Sequence, residues 1–182
     1  MDKYIRLIFN VINNFLTRTN DNSDLFLLVN NFNINEKLQN HILMNVVGVN
    51  RVNLNISQAE SYVMQGDNYI LQQKPETYQL LIAFHAMFLD KNFLKGFELL
   101  SQISSFLNNN KEFSVQNIPQ VAEENLDSFF LNAKTFNMTE ENEIWNKLKI
   151  PYMPTIFYEV GLLPVFSSVK FSQKKAAPLK NF

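Results

Sequence analysis

The stretch "PETYQLLIAFHAMFL" (75–89) constrains the fold more than any other part of the chain. Tyr78, Leu80, Ile82, Phe84, Ala86 and Phe88 share one parity, and Leu81, Ala83 and Met87 share the other. Successive side chains of a strand point to opposite faces. A run that is apolar on both parities therefore reads as a central strand covered on both sides.

The rest of the chain supplies neighbours for such a strand. Residues 2–18 carry Ile5, Ile8, Phe9, Ile12, Phe15 and Leu16 at helical spacing, one apolar stripe on one helix. "LFLLV" (25–29) suits a short buried strand, and 30–40 reads as a polar loop. From Ile42 the period becomes two: Ile42, Met44, Val46, Val52, Leu54 and Ile56 are expected on one face, with Arg51, Asn53 and Asn55 opposite and a bend near Gly48. Gly66, Asp67 and Asn68 signal a turn between two edge ribbons within 58–74.

Residues 90–110 read as a helix with Phe93, Phe97, Leu100, Ser104 and Leu107 in one row. A short strand and loop (111–125), a strand (126–136) and a helix over 140–149 follow. Thr139 is the expected N-cap of that helix, with Ile144, Trp145 and Leu148 on its buried side. A last apolar strand spans 151–165. Strands outnumber helices, so the expected class is α/β (α+β): a mixed, largely antiparallel sheet with helices packed mainly on one face. Residues 1–166 form one domain and 167–182 a basic C-terminal arm.

Composition narrows function mainly by exclusion. A hydrophobic fraction of 46% and a charged fraction of 18% exclude wholesale disorder. A net charge of -1 gives no global field for nucleic acid or an anionic membrane. The chain has no cysteine, hence no disulfide framework and no thiolate nucleophile. "MDKYIRLIFNVINNFL" makes a poor signal peptide, and no segment has the uninterrupted apolar length to span a bilayer. Synthesis in the cytoplasm without a signal peptide and no direct membrane insertion are the expectations.

Chemistry-bearing motifs are sparse. His41 and His85 belong to no metal-ligand spacing, and their bland reading is structural or exposed imidazole. Four glycines form no phosphate-binding loop. Glu123-Glu124 are expected in a loop, and Glu140, Glu141 and Glu143 are explained by the start of a helix. Most of the 17 phenylalanines sit at core positions rather than interleaved with basic residues. The expectation is no catalytic, cofactor-binding or metal-binding residue and no nucleic-acid partner.

The arm differs from the body. Lys170, Lys174, Lys175 and Lys180 alternate with Phe171, Leu179 and Phe182. Such a segment is either a plain disordered tail or an arm that orders on a partner, apolar side chains in pockets and lysines on acidic rims.

An ordered set of motifs resembles a known family. It comprises "PETYQLLIAFHAMF"; a helix with Leu100-Ser101 running into "SFL"; Phe113 with the Asn117 and Pro119 turn; Trp145 and Leu148 on one helix; and Pro154, Tyr158 and Val160 in a strand. Across roughly 1–166 the chain resembles the cap, or tail-terminator, proteins of contractile injection systems, the phage-tail-like particles of bacteria. Relatives often carry an acidic pair soon after a Val-Asn on the second long strand; here Val49-Asn50 is followed by Arg51-Val52. The resemblance implies a phage tail-terminator-like fold and a homo-hexameric ring. Such a ring ends the inner tube, anchors the distal end of the sheath, and works without catalytic residues or cofactors. It implies tube protein and sheath protein as partners, in a particle that is either released or cell-anchored. Another structural or adaptor component of the same particle, a second cap paralogue, or an unrelated ligand-binding or enzymatic domain are the alternative readings.

Overall fold

The computed structural model describes residues 2–20, 25–29, 38–52, 61–65, 68–72, 77–88, 92–124, 126–150 and 152–164. The elements run α1 (Asp2–Asn20), β1 (Phe26–Leu28), β2 (His41–Val52), β3 (Ser61–Gln65), β4 (Asn68–Gln72), β5 (Thr77–Met87), α2 (Phe93–Asn109), β6 (Glu112–Ser114), α3 (Gln120–Glu123), β7 (Leu126–Lys134), α4 (Met138–Leu148) and β8 (Thr155–Pro164). Six strands form one sheet in the order β1-β2-β5-β8-β7-β6. Only the β1–β2 pair is parallel; every other pair in it is antiparallel. Strands β3 and β4 make a separate two-stranded ribbon.

As its two apolar parities require, β5 lies inside the sheet, between β2 and β8. On one face Leu80, Ile82, Phe84 and Ala86 are buried beneath Leu7, Ile8, Ile12 and Leu16 of α1 and Leu99, Leu100, Ile103 and Leu107 of α2. Val121 of α3 joins the same cluster. On the other face Met87 and Leu43 pack with Trp145 of α4, and Ala83 with Ile144 and Phe157. Helices therefore lie mainly on one face, with α4 covering part of the other.

The phenylalanine content builds two aromatic rows through the larger layer. Phe9 stacks on Phe26 at 4.8 Å between centroids, Phe26 on Phe84 at 6.1 Å, and Phe84 meets Tyr158 edge-on at 5.9 Å. Phe15, Phe106, Phe113 and Phe129 form the second, with spacings of 4.1, 6.0 and 4.9 Å. Offset and edge-on rings add to their area burial. The buried Tyr158 hydroxyl is satisfied by donating to Ser104 Oγ at 3.2 Å.

Four local expectations are corrected. The first concerns β2. The expected bend is a β-bulge: Val46 pairs with Ile82 but Gly48 with Leu81, leaving Val47 as the extra residue. A one-residue slip exchanges the faces of everything beyond it. Val52, opposite Thr77, therefore falls on the other face from Ile42, Met44 and Val46; Leu54 and Ile56 lie outside the described residues.

The second is α2, whose buried stripe is Gly96, Leu99, Leu100, Ile103 and Leu107, while Phe93 and Phe97 are 46% and 47% exposed. The cause is close approach. A Cβ at Gly96 would stand 3.0 Å from Ala86 Cβ and 3.0 Å from the Phe88 ring. Glycine thus fixes which side of the helix faces the sheet.

Third, the N-cap of α4 is Asn137 rather than Thr139. Its Oδ1 accepts from the backbone N–H of Thr139 and Glu140, each at 3.0 Å, and Glu140 Oε2 accepts from Asn137 N–H at 2.9 Å. This reciprocal box needs an extended residue just before the helix, which Asn137 is and the helical Thr139 is not. Fourth, Glu123 ends the one-turn helix α3 and Glu124 is its C-cap, so neither stands in an open loop.

The last strand is shorter than expected, from Thr155 to Pro164, and Pro151 lies outside the described residues. The approach through Met153 and Thr155 anchors a buried imidazole. The Thr155 hydroxyl donates to the Met153 carbonyl at 2.9 Å, leaving an oxygen lone pair for His85 Nδ1–H at 2.8 Å. His85 is fully buried, and its ring lies 5.3 Å from that of Trp145.

Burial pushes the His85 pKa down from 6.5 to about 3. The unfolded chain takes up a proton as pH falls below 6.5, whereas the folded chain stays neutral until about 3. Stability from this group is complete above 6.5 and is lost on acidification, at up to ~1.4 kcal/mol per pH unit. Urea unfolding from pH 7 downward should show this decline beginning before most carboxylates titrate. His85→Gln, whatever its stability at neutral pH, should flatten that limb; an unchanged slope would count against the buried neutral imidazole.

Candidate functional site

The register places the two histidines on the same face of adjacent strands. His41 lies opposite Met87, and His85 lies opposite Leu43, so the two occupy diagonal positions. They nevertheless make no site. His41 Nδ1 bonds the Gln39 carbonyl at 2.7 Å, and His85 is sealed beneath Trp145. Among the described residues no group of three or more His, Asp or Glu could hold a metal ion. No helix of the described residues is long and apolar enough to cross a membrane.

The acidic residues have structural uses. Glu124 pairs with Lys3 of α1 at 3.2 Å, and its carbonyl accepts from the same Lys3 Nζ at 2.9 Å. Glu140 closes the α4 capping box. Glu159 meets Lys134 across β8 and β7 at 3.1 Å, a half-exposed pair of small energetic weight.

What the described surface does carry is apolar. Phe93, Phe97 and Leu100 of α2 face Tyr152, Pro154 and Ile156 on the approach to and start of β8. Together with Ser101, Ser104 and Thr155 they line an open groove of about 640 Å³. Among the described residues no charged side chain lines it. Phe93 and Phe97 stand edge to face at 5.0 Å, and Tyr152 meets Trp145 edge-on at 5.6 Å. Leu94 beside them is 79% exposed and Tyr152 74%. Clustered exposed aromatic and aliphatic side chains of this kind mark a surface suited to contact with a partner or ligand. Sequence periodicity put Phe93 and Phe97 in one row with Leu100 and Leu107, which are buried; Gly96, whose small size marks the side of α2 that meets the sheet, is the signal that separates them.

The sheet margins are the second feature. β1 pairs with β2 only at Ile42, Leu43 and Met44, so from Val46 to Val52 the outer edge of β2 has no neighbouring strand among the described residues. At the far margin β6 covers β7 only at Ser128, Phe129 and Phe130. The candidate partner-binding residues Lys170, Phe171, Lys174, Lys175, Leu179, Lys180 and Phe182 lie outside the described residues.

The model of the Pvc16 N-terminal domain family matches residues 11–177. Among solved structures, the chain is similar to the anti-feeding prophage cap (AFP tube terminating cap), with TM-score 0.53 and 14% identity over 96% of this chain and 58% of that one. It is also similar to the PVC sheath/tube terminator, in its extended state, of an extracellular contractile injection system, with TM-score 0.49 and 16% identity over 93% of this chain and 63% of that one. This chain thus spans less than two thirds of either. At 14% identity the likeness to the anti-feeding prophage cap is one of fold. No curated protein matches the chain. The match over most of its length is sufficient to place it: the chain belongs to the Pvc16 N-terminal domain family.

Proposed function

We propose that this chain is a structural cap of a contractile injection system, one that terminates the inner tube and holds the distal end of the sheath. One observation carries the reading. The chain belongs to the Pvc16 N-terminal domain family, and 96% of it shares the fold of a protein described as a tube terminating cap. The surface chemistry accords with a role in binding. The described features suited to function are an apolar groove and open strand edges, and neither converges titratable groups on a reacting atom.

The physical task of a cap is to end a polymer. A tube subunit exposes a fresh axial surface each time one adds, and heterologous stacking without closure continues indefinitely. A ring that matches the growing end on one side and offers no such surface on the other stops addition. The stoichiometry we propose is a homo-hexamer, each copy carrying a lateral surface for its neighbours and an axial one for the tube. In this reading the arm at 167–182 is the sheath contact, with Phe171, Leu179 and Phe182 as apolar anchors and Lys170, Lys174, Lys175 and Lys180 meeting acidic rims.

Two outcomes test the proposal. Purified chain added to the polymerising tube subunit of its own particle should shorten the tubes as the ratio of chain to tube subunit rises. A length distribution indifferent to that ratio, measured by electron microscopy, would falsify termination. Removal of 167–182 should leave the circular dichroism spectrum and the tube-shortening activity intact while particles lose their attached sheaths; normal sheath retention would exclude the arm as the contact.

A further inference from the structure

Of the large apolar side chains exposed on the described surface, Met138 is the most exposed, at 83%. It is the first residue of α4, directly after the cap Asn137. Helical side chains tilt toward the N-terminus of their helix, so a long one at the first position projects past the helix end. Its footing is held firmly. The capping box fixes the backbone from Asn137 to Glu140, and Phe136 packs edge-on against Phe157 at 5.1 Å. Met138 itself belongs to none of the apolar clusters.

The groove between α2 and the approach to β8 is the matching concave feature. Phe93, Phe97 and Tyr152 give it an aromatic lining. An unbranched thioether adapts to an irregular hollow and packs well on aromatic rings. The exposed Val49 and Val115 are short and stiff by comparison. Met138 and the groove do not meet within one chain. Met138 lines no part of the groove, and the two belong to opposite layers. α2 packs on one face of the sheet, whereas Phe136 and Ile144 pack with Phe157 and Ala83 on the other.

Area decides how strong such a contact is. Aromatic side chains carry about 150–250 Å² each, so the exposed parts of Phe93, Phe97 and Tyr152, with Leu94 beside them, offer on the order of 450 Å². Each partner in a standard stable interface buries about 800 Å². A contact of this size holds neighbours already aligned on a template better than it holds a free pair. We propose that Met138 of one copy of this chain seats in the groove between α2 and the approach to β8 of a second copy. Knob and groove are different surfaces, so the contact is heterologous and runs head to tail until it closes into a ring. The inference rests on the proposed ring, for which it names the lateral contact.

The chain has no cysteine, so introduced thiols are the only ones it carries. Full-length Thr139→Cys, next to the knob, and Ser101→Cys, in the groove, are mixed with tube subunit whose own thiols are blocked and treated with a short bismaleimide. Asn142→Cys with Leu94→Cys replaces this pair should either variant fold poorly. The expected result is a covalent dimer that forms in the mixture and in neither variant alone. A variant carrying both thiols should give a ladder of covalent oligomers ending at the ring; linkage confined within one chain overturns the proposal. Adding Met138→Ala to Thr139→Cys should demand roughly tenfold more protein for the same yield. A yield indifferent to Met138 overturns the proposal, as does linkage of the groove to tube subunit through an amine-reactive reagent at the same thiol. Rings visible by electron microscopy without the mixed product also overturn it, leaving the cap reading intact. A chain that stays monomeric with tube subunit present overturns the cap reading and this inference together.

Discussion

Burial of β5 on both faces is the constraint on which the rest of the structure depends. From Ile82 to Phe88 every residue of this segment is buried. Water can be kept from both sides of a strand only if it has neighbours at each edge and a layer above and below. β2 and β8 meet the first demand. The α1–α2 layer and the smaller α4 layer meet the second. Gly96 helps set the spacing of the larger layer, since a Cβ there would stand 3.0 Å from Ala86 Cβ and the Phe88 ring and force them to give way.

That arrangement also determines where function can reside. A sheet packed this fully leaves its interior to apolar contacts, and even the polar His85 is sealed inside, held by Thr155 and covered by Trp145. Interaction chemistry is displaced to the margins. α2 turns Phe93 and Phe97 outward because the opposite side of the helix is committed to the sheet. β1 and β6 are too short to cover the long strands beside them. The proposed capping role draws on these margins, the groove of α2 and β8 and the long strands that β1 and β6 leave partly uncovered.

How much of this was legible in the sequence depended on whether a pattern was local. The stripe of α1 and the two parities of β5 were readable because each repeats within a single element. The bulge was half readable: Gly48 marked the place, but the exchange of faces that put Val52 opposite Val46 is a property of the pairing with β5. The orientation of α2 was not legible from its row of Phe93, Phe97, Leu100, Ser104 and Leu107, because one glycine in contact with the sheet decides which side is buried. Asn137 and Thr139 are both good caps, and only the backbone conformation distinguishes them. The groove was not legible at all, because its two walls lie far apart along the chain, on α2 and on the approach to β8.

The central claim is that this chain acts by occupying the end of a polymer. Its most direct test is location: cryo-electron microscopy of assembled particles in which the chain bears a single gold-labelled cysteine. The account predicts label at one end only, the end distal to the baseplate. Label spread along the tube, at the baseplate end, or free of particles altogether would contradict it.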